Sequence, residues 1–241
     1  MKNILLFSLL ILVFASGCHE IMGRRVRGTG NITPQTRTVP GFRKVEVSGA
    51  IDVYVKQDSV TSVKVETDDN LLQYVVVHTS GSTLEIYTER GFNLRPTSKI
   101  KVFVSNPTFD GFEVQGASKV ISENEITASD RISLSVSGAS EGRLQLNTPK
   151  VIVEATGASN ANISGRAKDL EASASGASHI RGYDLLTENT VVDLSGASHA
   201  DVSASVSLAG EASGASHVNY KGNIGHNVRT SGASHVNKNN D

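Results

Sequence analysis

The sequence has no tryptophan, one cysteine, and only seven Phe and five Tyr in 241 residues. A single thiol excludes an internal disulfide, so stability must come from packing and hydrogen bonding. The scarcity of large rings excludes a core built on aromatic bulk and leaves Ala, Ser, Val and Gly to fill a narrow interior. An excess of either charge is missing too: 23 Lys and Arg stand against 24 Asp and Glu, a formal net charge of −1. No net field draws such a chain onto nucleic acid, and no nucleic-acid partner is expected.

Long hydrophobic runs are nearly absent, and the single one is at the start. Ile4 to Ala15 is apolar, follows Lys2, and ends in Ala15-Ser16-Gly17 before Cys18. The run is short for a membrane-spanning helix, which needs about 20 residues, and its flanks are those of a cleaved export leader. A small triplet followed by cysteine resembles the bacterial lipobox, in which the cysteine receives a diacylglyceryl thioether and becomes the first mature residue. Residues 1–17 are therefore expected to be a lipoprotein signal peptide and Cys18 a lipid anchor. The expected location is extracytoplasmic, on the cell envelope at the outer membrane, with the membrane as a partner through the anchor. Residues 18–30, which end in GRRVRGTG, are polar and basic at Arg24, Arg25 and Arg27, as expected of a flexible tether near a lipid surface.

What is abundant is a repeat. The motif Gly-Ala-Ser recurs with its glycine at 116, 138, 157, 176, 196, 214 and 232, every 18–22 residues. A fixed period of this length marks a stack of like structural units. Apolar residues stand two and four places before most of these glycines, as Val114 and Phe112, Val136 and Leu134, and Ala155 and Val153 do. That is the two-residue period of a strand with one buried face. On later coils Thr190, Gly210 and His226 occupy would-be core places, while Val192, Leu194, Leu208 and Val228 keep the register. After each glycine the alanine is expected to continue the inward set, with the alternation slipping by one residue at the serine. No unit has the roughly 10–12 residues of helical period that a helical repeat needs. Each unit therefore reads as strand, corner, short strand and loop, one coil of a parallel β-helix. Its hand is expected to be right, as for parallel crossovers generally.

Upstream, Val45 to Gln57 alternates cleanly, and SGAI at Ser48 to Ile51 reads as a degenerate first copy. Further strand-like runs follow at Ser62–Thr67, Tyr74–Thr79, Thr83–Thr88 and Lys99–Val104, separated by turn signals. Residues 31–241 are taken as one all-β domain whose N-terminal part is irregular coils or a capping sheet; a separate N-terminal sandwich is the alternative.

The lipobox, GFRKVEVSGAIDVYV from Gly41 to Val55, DDNLLQYV from Asp68 to Val75, STLEIY from Ser82 to Tyr87 and the run of GAS coils together resemble the head GIN domain family of auto-transporter adhesins. The resemblance covers residues 31–241 and implies an exported β-helical protein with an adhesive role. It implies no catalytic residue.

Four histidines stand out. His179, His199, His217 and His235 each follow a repeat glycine by three residues, where earlier coils carry Lys119, Glu141 and Asn160. Successive coils would stack these rings about 4.8 Å apart. Such a ladder is structural, or a ligand site, or a place where two imidazoles chelate a transition metal. No cysteine or carboxylate recurs beside them to complete a four-ligand site, so no cofactor or metal is expected. The repeat serines lack the setting of a nucleophile elbow and are expected to fill a tight corner. Asp184, Glu188, Asp193, Asp201 and Glu211 are scattered in sequence, although stacked coils can bring distant carboxylates together. The expected function is non-enzymatic surface binding to a cell-surface glycan or protein. The alternatives are a structural envelope protein and a carbohydrate-active enzyme. A homodimer through the C-terminal edge of the stack is a further expected partner mode.

Overall fold

The structure, a computed structural model, describes residues 23–239; the expected leader and Cys18 lie outside them. The chain is a parallel β-solenoid, and the alternating residues build it. In the first wall, Lys44–Val47, Gly111–Val114 and Arg131–Val136 stack in parallel, followed by the second half of Glu141–Ala155 and the second half of Asn160–Ala174. Asn189–Leu194, Ser207–Ala212 and Asn227–Thr230 complete it. In the second wall, Ile51–Gln57, Lys119–Ser122, the first halves of the two long strands, His179–Gly182, His199–Ser203, His217–Lys221 and His235–Lys238 stack in the same sense. On the third side, where each coil returns from the second wall to the first, the short strands Ile126–Thr127 and Leu185–Leu186 pair with the middles of the two long strands.

Between the walls lies one continuous core of inward Val, Leu, Ile and Ala. Val114, Val136, Val153, Ala172, Val192 and Ala212 come from the first wall and Val53, Val120, Ala161, Ile180, Ala200 and Val218 from the second. Each buried branched side chain contributes about 1.5–3 kcal/mol. Where the apolar register lapses, the chain compensates: Thr190 is buried with its hydroxyl on the Ser203 carbonyl, and Gly210 leaves room for the Val192 carbonyl, while His226 is exposed.

The Gly-Ala-Ser motif is the corner between the walls, and its geometry corrects the expected slip. The corner does not shift the inward register: Val114, Ser118 and Val120 are buried, whereas Gly116 and Ala117 at the turn itself are exposed. Alanine is therefore outside and serine inside, in every copy from 116 to 216. The glycines of these corners have φ of 74–78°, a region that L side chains rarely enter. They also lie on one another. A Cβ built on Gly176 would be 2.7 Å from the Gly157 carbonyl oxygen. This closeness is used, since the Ala177 N–H donates to that same carbonyl at 2.8 Å, and Ala139, Ala158, Ala197, Ala215 and Ala233 repeat the bond one coil apart. The buried serine satisfies the corner from inside: Ser178 Oγ is 2.9 Å from the Ser175 carbonyl of its own coil and 2.9 Å from the Ala155 carbonyl of the coil before.

Gly49 belongs to this column, because the Ala117 N–H donates to its carbonyl at 2.8 Å. SGAI is thus a true corner, with Ile51 buried where later copies place serine. Spatial order departs from chain order here. Lys44–Val47 and Ile51–Gln57 are sandwiched between Gly111–Ser122 on one side and the later strands Thr83–Thr88 and Ile100–Asn106 on the other. Antiparallel strands close that end: Val75–Ser80 on Thr83–Thr88, and Ser62–Asp68 with Ile32–Arg37 on Ile100–Asn106. The N-terminal part is thus a capping sheet continuous with the solenoid, and there is no separate sandwich among the described residues.

Of the tether expected over 18–30, residues 18–22 lie outside the described residues, and the rest is ordered against the body of the protein. Arg24–Arg27 is a strand paired in parallel with Phe92–Arg95, and the Gly30 N–H donates to the buried Asp68 carboxylate at 2.7 Å. At the other end, Asn227–Thr230 and His235–Lys238 have no strand beyond them among the described residues.

Gly176→Ala is expected to lower stability by about 3 kcal/mol, from left-handed strain plus overlap with the Gly157 carbonyl. Ala177→Ser, on the exposed neighbour, should change it by less than about 0.5 kcal/mol. Urea unfolding of both variants checks this, and equal midpoints would contradict the corner geometry.

Candidate functional site

In-register stacking sorts outward side chains into columns. On the second wall one column runs Lys101, Asp52, Lys119, Glu141, Asn160, His179, His199, His217 and His235. Its lower half alternates in charge, and Lys119 Nζ is 2.7 Å from Glu141. Its upper half is the histidine ladder. The ring centroids of His179 and His199 are 4.7 Å apart, those of His199 and His217 4.8 Å, and those of His217 and His235 5.6 Å, with interplanar angles of 6–15°. The structure thus brings all four predicted residues together.

The same stacking constrains their chemistry. Zinc holds imidazole nitrogen at about 2.0–2.1 Å, so two nitrogens on one ion are at most about 4.2 Å apart. Equivalent nitrogens of parallel rings 4.7 Å apart cannot share an ion unless a ring turns. The Nδ1 atoms of His199 and His217 are buried without a partner. The neutral tautomer carrying its hydrogen on Nε2 suits that environment, since a buried N–H without an acceptor is costly. Burial first, then the neighbouring His199 and Arg181, hold the His179 imidazole below its ordinary value, against the opposing pull of Asp201.

On the first wall the corresponding outward column begins Glu85, Glu46 and Glu113. Burial, then Glu113 and Glu85, raises the Glu46 carboxyl above the usual range. Among the scattered carboxylates, only Asp193 and Glu211 become neighbours on this wall. Glu211 is already 3.3 Å from Arg229. Asp201 is on the second wall bonded to Asn219, and Glu188 is on the third side.

The third side holds a feature that sequence reading missed. A groove of about 690 Å³ opens where the coils turn at 147–149, 166–168, 186–188 and 203–205. In its outer layer Asn147, Arg166 and Leu186 stack in register. Pro149 has no N–H, and the ladder skips its position before resuming at Lys150 and Asp169. Ala128, Pro149, Ala167 and the exposed Leu186 supply apolar surface; Arg166 and Lys168 supply positive charge, with Glu188 at the rim. Thr148, nine-tenths buried in this lining, has a hydroxyl without a partner. The volume falls within the usual range for small-ligand sites, about 300–1,000 Å³. No motif repeats on this side, so nothing in the periodicity pointed to it.

With this geometry in hand, comparison with known proteins decides the lineage. The family model described as "Putative auto-transporter adhesin, head GIN domain" matches residues 41–223. The chain belongs to the head GIN domain family. Solved structures share the fold of this chain. A putative adhesin from Bacteroides fragilis NCTC 9343 superposes with a TM-score of 0.84 at 19% identity, covering 89% of this chain and 100% of that one. A putative adhesin from Parabacteroides merdae ATCC 43184 gives 0.72 at 18% identity, with 90% and 99% covered. A putative lipid binding protein from Parabacteroides distasonis ATCC 8503 gives 0.70 at 18% identity, with 90% and 100% covered. A search of curated proteins finds no match. The head GIN match spans every corner but the last at Gly232, most of the histidine ladder and the whole groove.

The lowered value of His179 sets a pH dependence. As pH falls, the unfolded chain takes up this proton first, because its imidazole titrates near 6.5 while the folded one titrates lower. The stabilisation is complete above about pH 6.5 and is lost as pH falls through the folded value. Hydrogen exchange at pH 7.5 and 5.5 should therefore show faster opening of 179–238 at the lower pH. His179→Asn should reduce that difference, and an identical difference in the variant would refute the assignment.

Proposed function

We propose that this head GIN protein is a non-enzymatic binding protein of the bacterial cell envelope. It is lipid-anchored at Cys18 on the extracytoplasmic side, at the outer membrane, and takes an acidic cell-surface glycan in the groove of the third side. The single observation that carries this reading is the composition of that groove. An apolar strip of Ala128, Pro149, Ala167 and Leu186 lies beside Arg166 and Lys168. A sugar ring has an apolar C–H face that packs on such a strip, and a carboxylate or sulfate on the ring meets the two cations.

The way polar groups are used elsewhere also supports a binding role over catalysis. The repeat serines are buried and held on carbonyls, and on the first wall Glu171 and Glu211 are already paired with Lys150 and Arg229. The rigid stack favours binding too, because few rotatable groups are immobilised when a ligand settles on it.

The test is a glycan array of neutral and acidic saccharides, probed with residues 18–241 with and without EDTA. Acidic glycans should be retained in both conditions. Arg166→Ala together with Lys168→Ala should weaken that retention at least tenfold. Retention that EDTA abolishes would move the site to the histidine column, and an array with no retention would favour a structural envelope role.

A further inference from the structure

Arg24–Arg27 and Phe92–Arg95 form a two-stranded parallel ribbon that is not part of the walls. Its register pairs Arg24 with Phe92, Arg25 with Asn93, Val26 with Leu94 and Arg27 with Arg95. Successive strand side chains point to opposite sides. Arg25, Arg27, Asn93 and Arg95 therefore share one face, and Arg24, Val26, Phe92 and Leu94 share the other. The second face lies on the body of the protein: Leu94 packs against the core, and the Phe92 ring is 4.5 Å from that of Tyr74.

The first face looks away, and its three arginines are exposed. None of them is in an ion pair among the described residues. The acids at the end of the ribbon are already engaged. Asp68 accepts from the Gly30 and Thr97 N–H groups and the Thr97 hydroxyl, and Asp69 from Thr29 and Asn31. In a chain of formal net charge −1, this is a local concentration of unpaired positive charge. The register creates it, because Arg95 is far from Arg27 in sequence and directly opposite it in space.

We propose that the Arg25–Arg27–Arg95 face docks on the anionic lipid headgroups of the membrane that holds Cys18. The inference rests on the lipid-anchor reading of Cys18. Five residues lead from Cys18 to Gly23, and even a fully extended segment of that length spans no more than about 18 Å. The ribbon therefore stays beside the bilayer. Guanidinium groups bind phosphate oxygens through paired N–H donors, which suits headgroup phosphates better than a diffuse charge does. Each basic side chain near an anionic leaflet strengthens association about fivefold, so the three together should contribute about a hundredfold. Docking holds the capped end of the solenoid against the membrane instead of leaving it to swing on the anchor.

The test uses residues 18–241 carrying Cys18→Ser, so that no acyl chain contributes. The chain is sedimented with vesicles of phosphatidylcholine alone or containing phosphatidylglycerol. It should co-sediment with the anionic vesicles at low salt, release as salt rises, and ignore the neutral ones. The triple variant Arg25→Gln, Arg27→Gln, Arg95→Gln should lose binding about a hundredfold with an unchanged circular dichroism spectrum. Lys44→Gln with Arg131→Gln and Arg229→Gln, equal in charge but elsewhere, should bind like the parent. Absence of binding to anionic vesicles, equal binding to both vesicle types, or equal loss in the two triple variants would overturn the proposal. The anchor is tested separately by incorporation of a labelled fatty acid into the full chain but not into its Cys18→Ser variant. A failure there would remove the anchor without altering the vesicle result.

Discussion

The fold depends on one hydrogen bond, repeated: the alanine N–H of each corner to the glycine carbonyl of the coil before, at 2.7–2.8 Å. Apolar burial supplies most of the driving force, but it is non-directional and cannot choose which residue of one coil lies over which residue of the next. The corner bond chooses. It requires a residue without Cβ, since any side chain on Gly157 or Gly196 would meet the preceding glycine carbonyl at 2.8 Å. It also requires a positive φ, which glycine adopts without strain. Once the corners are aligned, the strands on either side are in register, and the hydroxyls of Ser140, Ser159, Ser178, Ser198 and Ser234 tie their coils to the previous ones.

Register then organises the surface. Each outward position becomes a column with the strand spacing of about 4.8 Å, so the side chains in it must be compatible with their own repetition. The lower half of the second-wall column meets this requirement by alternating Lys101, Asp52, Lys119 and Glu141. The upper half meets it with four imidazoles, which stack ring on ring. Parallel rings at that spacing are well placed for contact with one another and poorly placed to share a metal ion. Features suited to a ligand occur instead where repetition relaxes. The groove lies on the third side, where proline interrupts the ladder, and the arginine ribbon lies outside the stack altogether.

The solenoid, the position of the walls and the meeting of His179, His199, His217 and His235 were legible because they depend on period, which sequence displays directly. The inside–outside assignment of Ala117 and Ser118 was misread because polarity was taken as the guide. Buried hydroxyls are acceptable where two backbone carbonyls face them, and such carbonyls are invisible in a list of residues. Gly49 was legible as a degenerate corner, but its place in the stack was not, since Gly111–Val114 returns to lie on Lys44–Val47 across the intervening strands.

The sequence by itself determined the local geometry: alternation made strands, Gly-Ala-Ser made corners, and their spacing set the size of a coil. Tertiary structure alone decided what is adjacent across the stack, because pairing between distant strands depends on which edge is free when they meet. That choice put Arg95 opposite Arg27 and gathered Asn147, Arg166 and Leu186 along one side of a groove. Arg27 and Arg95 belong to no repeat, and Asn147, Arg166 and Leu186 keep the coil spacing of 19 and 20 residues without sharing a residue type.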